Sequence, residues 1–334
     1  MIGPHSKKET GHEHQHGHTH GAVDPSLFRT DRGIQAVKWS LAGLILTAII
    51  QVIVVYYTSS VALLADTIHN FGDGLTALPL WAAFIIGRKK PNKRFTYGYG
   101  RLEDIAGLII VFMIAVSAGV AGYESVRRLF NPQTVQNLWA VFAASLVGFA
   151  GNEAVAYYRI KIGREIGSEA LVADGYHARV DGLTSLAVLL GALGIALGFP
   201  LADPIAGLLI TIMVLKILWD TGKAVFRRLM DGIDPKVVDE IEHTAMDVQG
   251  VESVEEIRVR WLGHRMVAEL NIAVNPQLSV VEAHEIARQV DHQLLHHLEY
   301  LTTVNIHIDP LGAVGARHHT RPGSKHEIQR DFSQ

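Results

Sequence analysis

His69 and Asp73 stand four residues apart, and so do His177 and Asp181. On a helix, residues at i and i+4 share one face, one turn apart. Two such helices facing each other would offer two imidazoles and two carboxylates. That set can close a tetrahedral shell around Zn²⁺, with ligand distances of about 2.0–2.2 Å. Mg²⁺ and Ca²⁺ prefer an all-oxygen shell, so the imidazoles argue against them, whereas Cd²⁺, Co²⁺ and Fe²⁺ remain open on ligand type.

The two pairs belong to one repeated phrase, A-D-x-x-H-x-x-x-D-G-L-T-[AS]-L, at residues 65–78 and 173–186, with a constant offset of 108 residues. A single H-x-x-x-D is a weak signal. Two copies in a shared frame, each inside an apolar stretch, are far stronger, because ionisable groups at membrane depth are costly and by default mark an ion or substrate pathway. Structural packing of a duplicated helix is the rival reading. Asp66 and Asp174 lie three residues before the histidines. They are expected to hold the imidazole tautomer as outer partners or to line a watery entry. Metal binding requires deprotonated ligands and expels protons, and histidine titrates near neutral pH. A site opening alternately to each side would then exchange metal for protons.

The elements that must position these residues are spanning helices. The chain has 334 residues, 49% of them hydrophobic, and a mean hydropathy of +0.20. Six apolar segments are predicted, at about Ile34–Tyr57, Val61–Ile86, Asp104–Val126, Leu138–Ile162, Glu169–Leu197 and Leu201–Phe226. Each supplies the roughly 20 residues that a span needs. Lys and Arg crowd the links after segments two, four and six, including Arg88, Lys89, Lys90, Arg159, Lys161, Arg164, Arg227 and Arg228. The positive-inside rule therefore puts both termini in the cytoplasm.

Residues 1–30 read as a disordered tail. In it His12, His14, His16, His18 and His20 alternate with other residues, as a loose metal-capturing tract or a merely solvated one. Residues 31–230 form the predicted six-helix membrane domain and residues 231–312 a soluble one, with a second disordered tail at residues 313–334. The soluble part reads as a helix over Lys236–Gln249, strands over Val251–Trp261 and His264–Val274, a helix over Ser279–Leu298 and a strand over Thr302–Asp309. Ser279 and Glu282 have capping-box spacing. The order αββαβ predicts a small ferredoxin- or metallochaperone-like sheet with helices on one face. His292, His296 and His297 follow one face of the last helix and read as solvated histidines, while Asn152 and Glu153 in the fourth segment read as packing or water-lining polar groups.

Composition excludes several classes. With no cysteine there is no disulfide, thiolate site or cysteine nucleophile, and the 18 histidines leave metal chemistry to nitrogen and oxygen ligands. A net charge of −3 implies no nucleic-acid partner. No organic cofactor is implied. Two rival classes to a transporter are a metal-dependent intramembrane enzyme and a membrane-anchored metal sensor. Hydrolysis needs an open coordination position, which four protein ligands would fill, so no enzyme is expected.

With these motifs the chain resembles the cation diffusion facilitator family over about residues 34–312. Besides the two H-x-x-x-D pairs, the resemblance rests on Tyr97-Gly98-Tyr99-Gly100-Arg101-Leu102-Glu103, Ala202-Asp203-Pro204-Ile205-Ala206-Gly207 and Val304-Asn305-Ile306-His307-Ile308-Asp309-Pro310. It implies proton-coupled efflux of a divalent metal, here of the zinc-selecting type, by a homodimer in a bacterial inner membrane. It also implies that Arg101 and Asp231 pair as an interlock near the dimer axis, against the plainer reading of two solvated charges. The link between segments two and three lacks the Asp and His that hold a second metal in some relatives, so that site is expected to be missing. In the soluble part His284, His307 and Asp309 match part of a relative's metal pattern. Glu255 (or Glu256) and Asn271 stand where further histidines are expected. A partly occupied metal site and a metal-free dimer contact both fit that departure.

Overall fold

The protein is described by a computed structural model, which covers residues 25–58, 77–130, 138–199 and 201–312. The amino-terminal histidine tract, Asp66, His69, Asp73 and the tail at 313–334 lie outside the described residues.

Among the described residues, five helices are long and apolar enough to cross a membrane. They are α1 (Pro25–Thr58), α3 (Arg101–Phe130), α4 (Leu138–Ile166), α5 (Glu169–Ala196) and α6 (Ala202–Leu229). At 28–34 residues each, they run about 42–51 Å, beyond the ~30 Å hydrocarbon layer. A shorter apolar helix, α2 (Leu78–Gly87), carries the end of the second predicted segment. The rest of that segment lies outside the described residues, so five of the six expected spans are seen. Helix α1 begins at Pro25, inside the stretch expected to be a tail. The reason is burial: Ser26, Arg29 and Thr30 are covered, because the carboxy-terminal domain sits over them.

The helical part buries polar side chains beside its apolar core and turns large apolar ones outward. Gln51, Ser145, Asn152, Arg159, Asp174, His177, Asp181 and Ser185 are buried, while Leu46, Phe112, Val120, Leu209 and Ile212 face outward. Water would penalise that distribution and lipid favours it. Helices α4 and α5 approach closely through small residues. A Cβ on Gly175 would meet Ile160 of α4, and one on Gly163 would meet Val172 of α5. Close backbone approach of this kind is how spanning helices gain packing contacts.

The carboxy-terminal domain comprises α7 (Pro235–Met246), β1 (Ser253–Leu262), β2 (Arg265–Val274), α8 (Val280–His297) and β3 (Leu301–Pro310). The sheet order is β1-β2-β3. Strands β1 and β2 are antiparallel, with Val259 opposite Ala268, and β2 and β3 are parallel, with Leu270 opposite Ile306. The parallel pair is joined through α8, the connection that parallel strands require. Helix α7 packs against β1 and α8, and α8 against β3, around Ile241, Leu270, Ile272, Val290 and Leu294. Ser279 caps α8 in the expected capping box. Its hydrogen bonds hold the Glu282 carboxyl below the usual range.

The two domains meet at the β1–β2 turn. Gly263 there has φ +64°, and a Cβ on it would lie 2.6 Å from Glu103 Oε2; one on Gly100 would lie 2.6 Å from the Leu262 carbonyl oxygen. Glycine is needed at both positions, in one case for the left-handed backbone and in both for the close approach.

Candidate metal centre

Helix α5 carries the second copy of the repeated phrase. It starts at Ser168, whose hydroxyl accepts a hydrogen bond from Leu171 N. Two turns in, the polar residues of the phrase turn toward the bundle interior. His177 is 2% exposed and Asp181 6%. His177 Nε2 and Asp181 Oδ2 are 4.0 Å apart. Two donors each about 2.1 Å from a tetrahedral ion lie roughly 3.4 Å apart, so this pair is within about 1 Å of a two-ligand bite. His69 and Asp73, the expected complement, lie outside the described residues. Among the described residues, no three His, Asp or Glu side chains converge on one point.

Asp174 is fully buried and pairs with Arg159 of α4, Nη1 to Oδ2 at 3.1 Å, with side-chain exposures of 1% and 0% for Arg159 and Asp174. Arg159 Nε and Nη2 make no hydrogen bond among the described residues. A buried cation one turn before His177 thus stands beside this carboxylate. The cause is charge. A buried guanidinium without a counter-ion is far costlier than an imidazole lacking one orienting contact. Asn152 is buried, and Glu153 pairs with Arg179, at 2.6 and 3.1 Å.

Other expected residues fall in three places. Arg101 and Asp231 form an ion pair between the start of α3 and the end of α6. Asp203, in the Ala202–Gly207 motif, pairs with Arg128 of α3 at 3.0 Å, tying α6 to α3. In the sheet, Glu255, Asn271 and His307 stand in register across β1, β2 and β3. His307 Nε2 lies 3.2 Å from Asp309 Oδ1. His284 is exposed on α8 and makes no group of three with them.

One polar cluster was not foreseen. His264, at the β1–β2 turn, is 6% exposed. Its Nδ1 lies 2.8 Å from Glu103 Oε2 of α3, and its Nε2 lies 3.0 Å from Thr30 Oγ1 and 3.3 Å from the Ser26 carbonyl of α1. Gly263 N donates to Asp104 Oδ2, and Arg228 of α6 donates to the Gly263 carbonyl while stacking on Trp261. Three spanning helices thus grip one hairpin. The only sequence hint was a Gly-His turn close behind a strand.

Comparison with known proteins agrees with this architecture. Residues 37–230 match the family described as cation efflux transmembrane domain, and residues 233–311 the one described as cation efflux protein, cytoplasmic domain. A probable cation efflux system protein of Mycobacterium tuberculosis is 53% identical over 296 residues, covering 88% of this chain and 89% of the relative. An uncharacterized transporter of Methanocaldococcus jannaschii is 29% identical over 271 residues, covering 81% and 95%. A manganese efflux system protein of Bacillus subtilis is 25% identical over 284 residues, covering 84% and 96%.

Proposed function

The chain belongs to the cation efflux, or cation diffusion facilitator, family of membrane transporters of divalent metal cations, and within it we propose that this protein exports Zn²⁺ in exchange for protons. The ion is held by His69, Asp73, His177 and Asp181. The observation that carries this reading is the pair His177 and Asp181, buried one turn apart in a spanning helix and repeated 108 residues earlier in the chain. Nothing about helix packing calls for a histidine and an aspartate at the same two places in both copies.

The metal follows from the donors. Two imidazoles and two carboxylates suit Zn²⁺ better than an oxygen-preferring ion. The Bacillus subtilis relative named for manganese makes Mn²⁺ the competing substrate to test. Exchange follows from ligand chemistry. Zn²⁺ binds deprotonated imidazole and carboxylate, so its arrival releases protons and proton uptake from the far side releases it. Both termini lie on the cytoplasmic side, where the basic link after α2 and the basic last turns of α4 and α6 cluster. Two copies pair through the cytoplasmic domain. His307 and Asp309, with Glu255 and Asn271 in the same rows of the sheet, supply at most a weak metal site there.

The test uses purified protein in proteoliposomes carrying a pH gradient. Wild type moves Zn²⁺ with counter-movement of protons, and Asp73→Ala or Asp181→Ala abolishes both. Zn²⁺ flux that survives both substitutions sinks the assignment. Zn²⁺ flux that leaves the pH gradient untouched sinks the exchange.

A further inference from the structure

The solvated histidines of α8 do not stand alone. Helix α7 turns Glu240, His243 and Asp247, spaced over two turns, toward the last turns of α8, where His292, His296 and His297 lie on one face. Between them is an open groove of about 490 Å³, lined by His243, Thr244, Asp247, His292, Gln293, His296 and His297. The His292 and His296 rings are already stacked edge to face, with centroids 4.3 Å apart. His297 Nε2 lies 3.3 Å from Glu240 Oε1, bridging the two helices.

We infer that this groove is a second metal site, taking one borderline divalent cation such as Zn²⁺, Ni²⁺ or Co²⁺ through His292 and His296 of α8, His243 of α7 and Asp247, which caps the end of α7. Three physical points carry it. Histidines at i and i+4 on an exposed helix present their nitrogens to one point a turn apart, and the facing helix offers a second i, i+4 pair. All four donors are nitrogen or carboxylate oxygen, the set that suits these ions. The groove is flanked by the carboxy-terminal ends of both α7 and α8, whose macrodipoles favour positive charge.

In the structure no three donors meet at one point. Closure calls for rotation of exposed imidazoles, which takes picoseconds to nanoseconds. The site lies in the cytoplasmic domain on the helical side of the sheet, apart from His307 and Asp309 on its strands and from the membrane pair. A bound ion would clip α7 to α8 and so stabilise the domain by mass action.

Histidine labelling of the full chain in detergent, with diethyl pyrocarbonate and peptide mass spectrometry, resolves each ring. With Zn²⁺ present, carbethoxylation of His243, His292 and His296 falls together, while exposed His284 stays reactive. The protection persists in Asp181→Ala, whose membrane site is impaired. The double variant His243→Gln/Asp247→Asn raises the Zn²⁺ concentration needed to protect His292 and His296 by at least about tenfold, the scale on which even outer partners of a metal act. Both side chains substituted on the α7 side are exposed, so folding is kept in the double variant. His292 and His296 remaining fully reactive at saturating Zn²⁺ overturns the site. Protection that survives the α7 double variant unchanged overturns the two-helix arrangement.

Discussion

Replacing Asp174 with Asn takes the negative partner from Arg159 and leaves a guanidinium in the bundle interior. Both side chains are essentially sealed, at 1% and 0% exposure, so solvent screening does not soften the loss. Arg159 has no hydrogen bond from Nε or Nη2 to fall back on among the described residues. Breaking a buried pair by removing one partner costs about 3–5 kcal/mol. For a cooperative unit of this size each kcal/mol moves the unfolding midpoint by roughly 2–4 °C, so a fall of about 10 °C is expected. The matched apolar exchange, Arg159→Met with Asp174→Leu, removes both charges and restores most of that loss. The assay is thermal unfolding in detergent for wild type, Asp174→Asn, Arg159→Met, Asp174→Leu and the double, the last three read with wild type as a mutant cycle. Losses that simply add in the double refute the ion pair as the role of Asp174. A midpoint unchanged in Asp174→Asn together with weakened Zn²⁺ binding refutes it too, and returns Asp174 to the imidazole of His177.

Two further outcomes are expected. His264→Ala leaves Glu103, itself 4% exposed, without its closest partner and destabilises the junction by about 2–3 kcal/mol, the scale of a hydrogen bond to a charged group. Limited proteolysis between α6 and α7 quickens accordingly, and an unchanged cleavage rate contradicts the buried contact. His69→Asp swaps a nitrogen for an oxygen ligand, so relative transport shifts toward Mn²⁺ and Cd²⁺, and unchanged ratios of Zn²⁺ to Mn²⁺ flux in proteoliposomes contradict the ligand role.

Periodicity and caps located the described helices and strands to within a few residues, because hydropathy and capping are local. Ser279 with Glu282, for instance, announces α8 and caps it. The first helix begins at Pro25, nine residues before the apolar pattern starts at Ile34. Arg29, Asp31 and Arg32 make that stretch too polar for a lipid-facing span, and its burial comes from a domain more than 200 residues later. The pairings were less legible. Asp174 and Arg159 are both visible in the chain, but only the rotation of α4 against α5 brings them together. His264 and Glu103 are 161 residues apart, and no local pattern joins them. His243 and His292 became neighbours through the packing of α7 on α8. Residue types were readable, and the geometry that assigns their partners was not.

The two glycines at the junction have a mechanical consequence. A Cβ on Gly100 would lie 2.6 Å from the Leu262 carbonyl oxygen, and one on Gly263 2.9 Å from the Gly100 carbonyl oxygen, so backbone rests almost directly on backbone. Long side chains can flex and absorb a small displacement, but such a contact has little play. A tilt of α3 therefore carries the β1–β2 hairpin with it, and the sheet amplifies the movement with distance from the fulcrum.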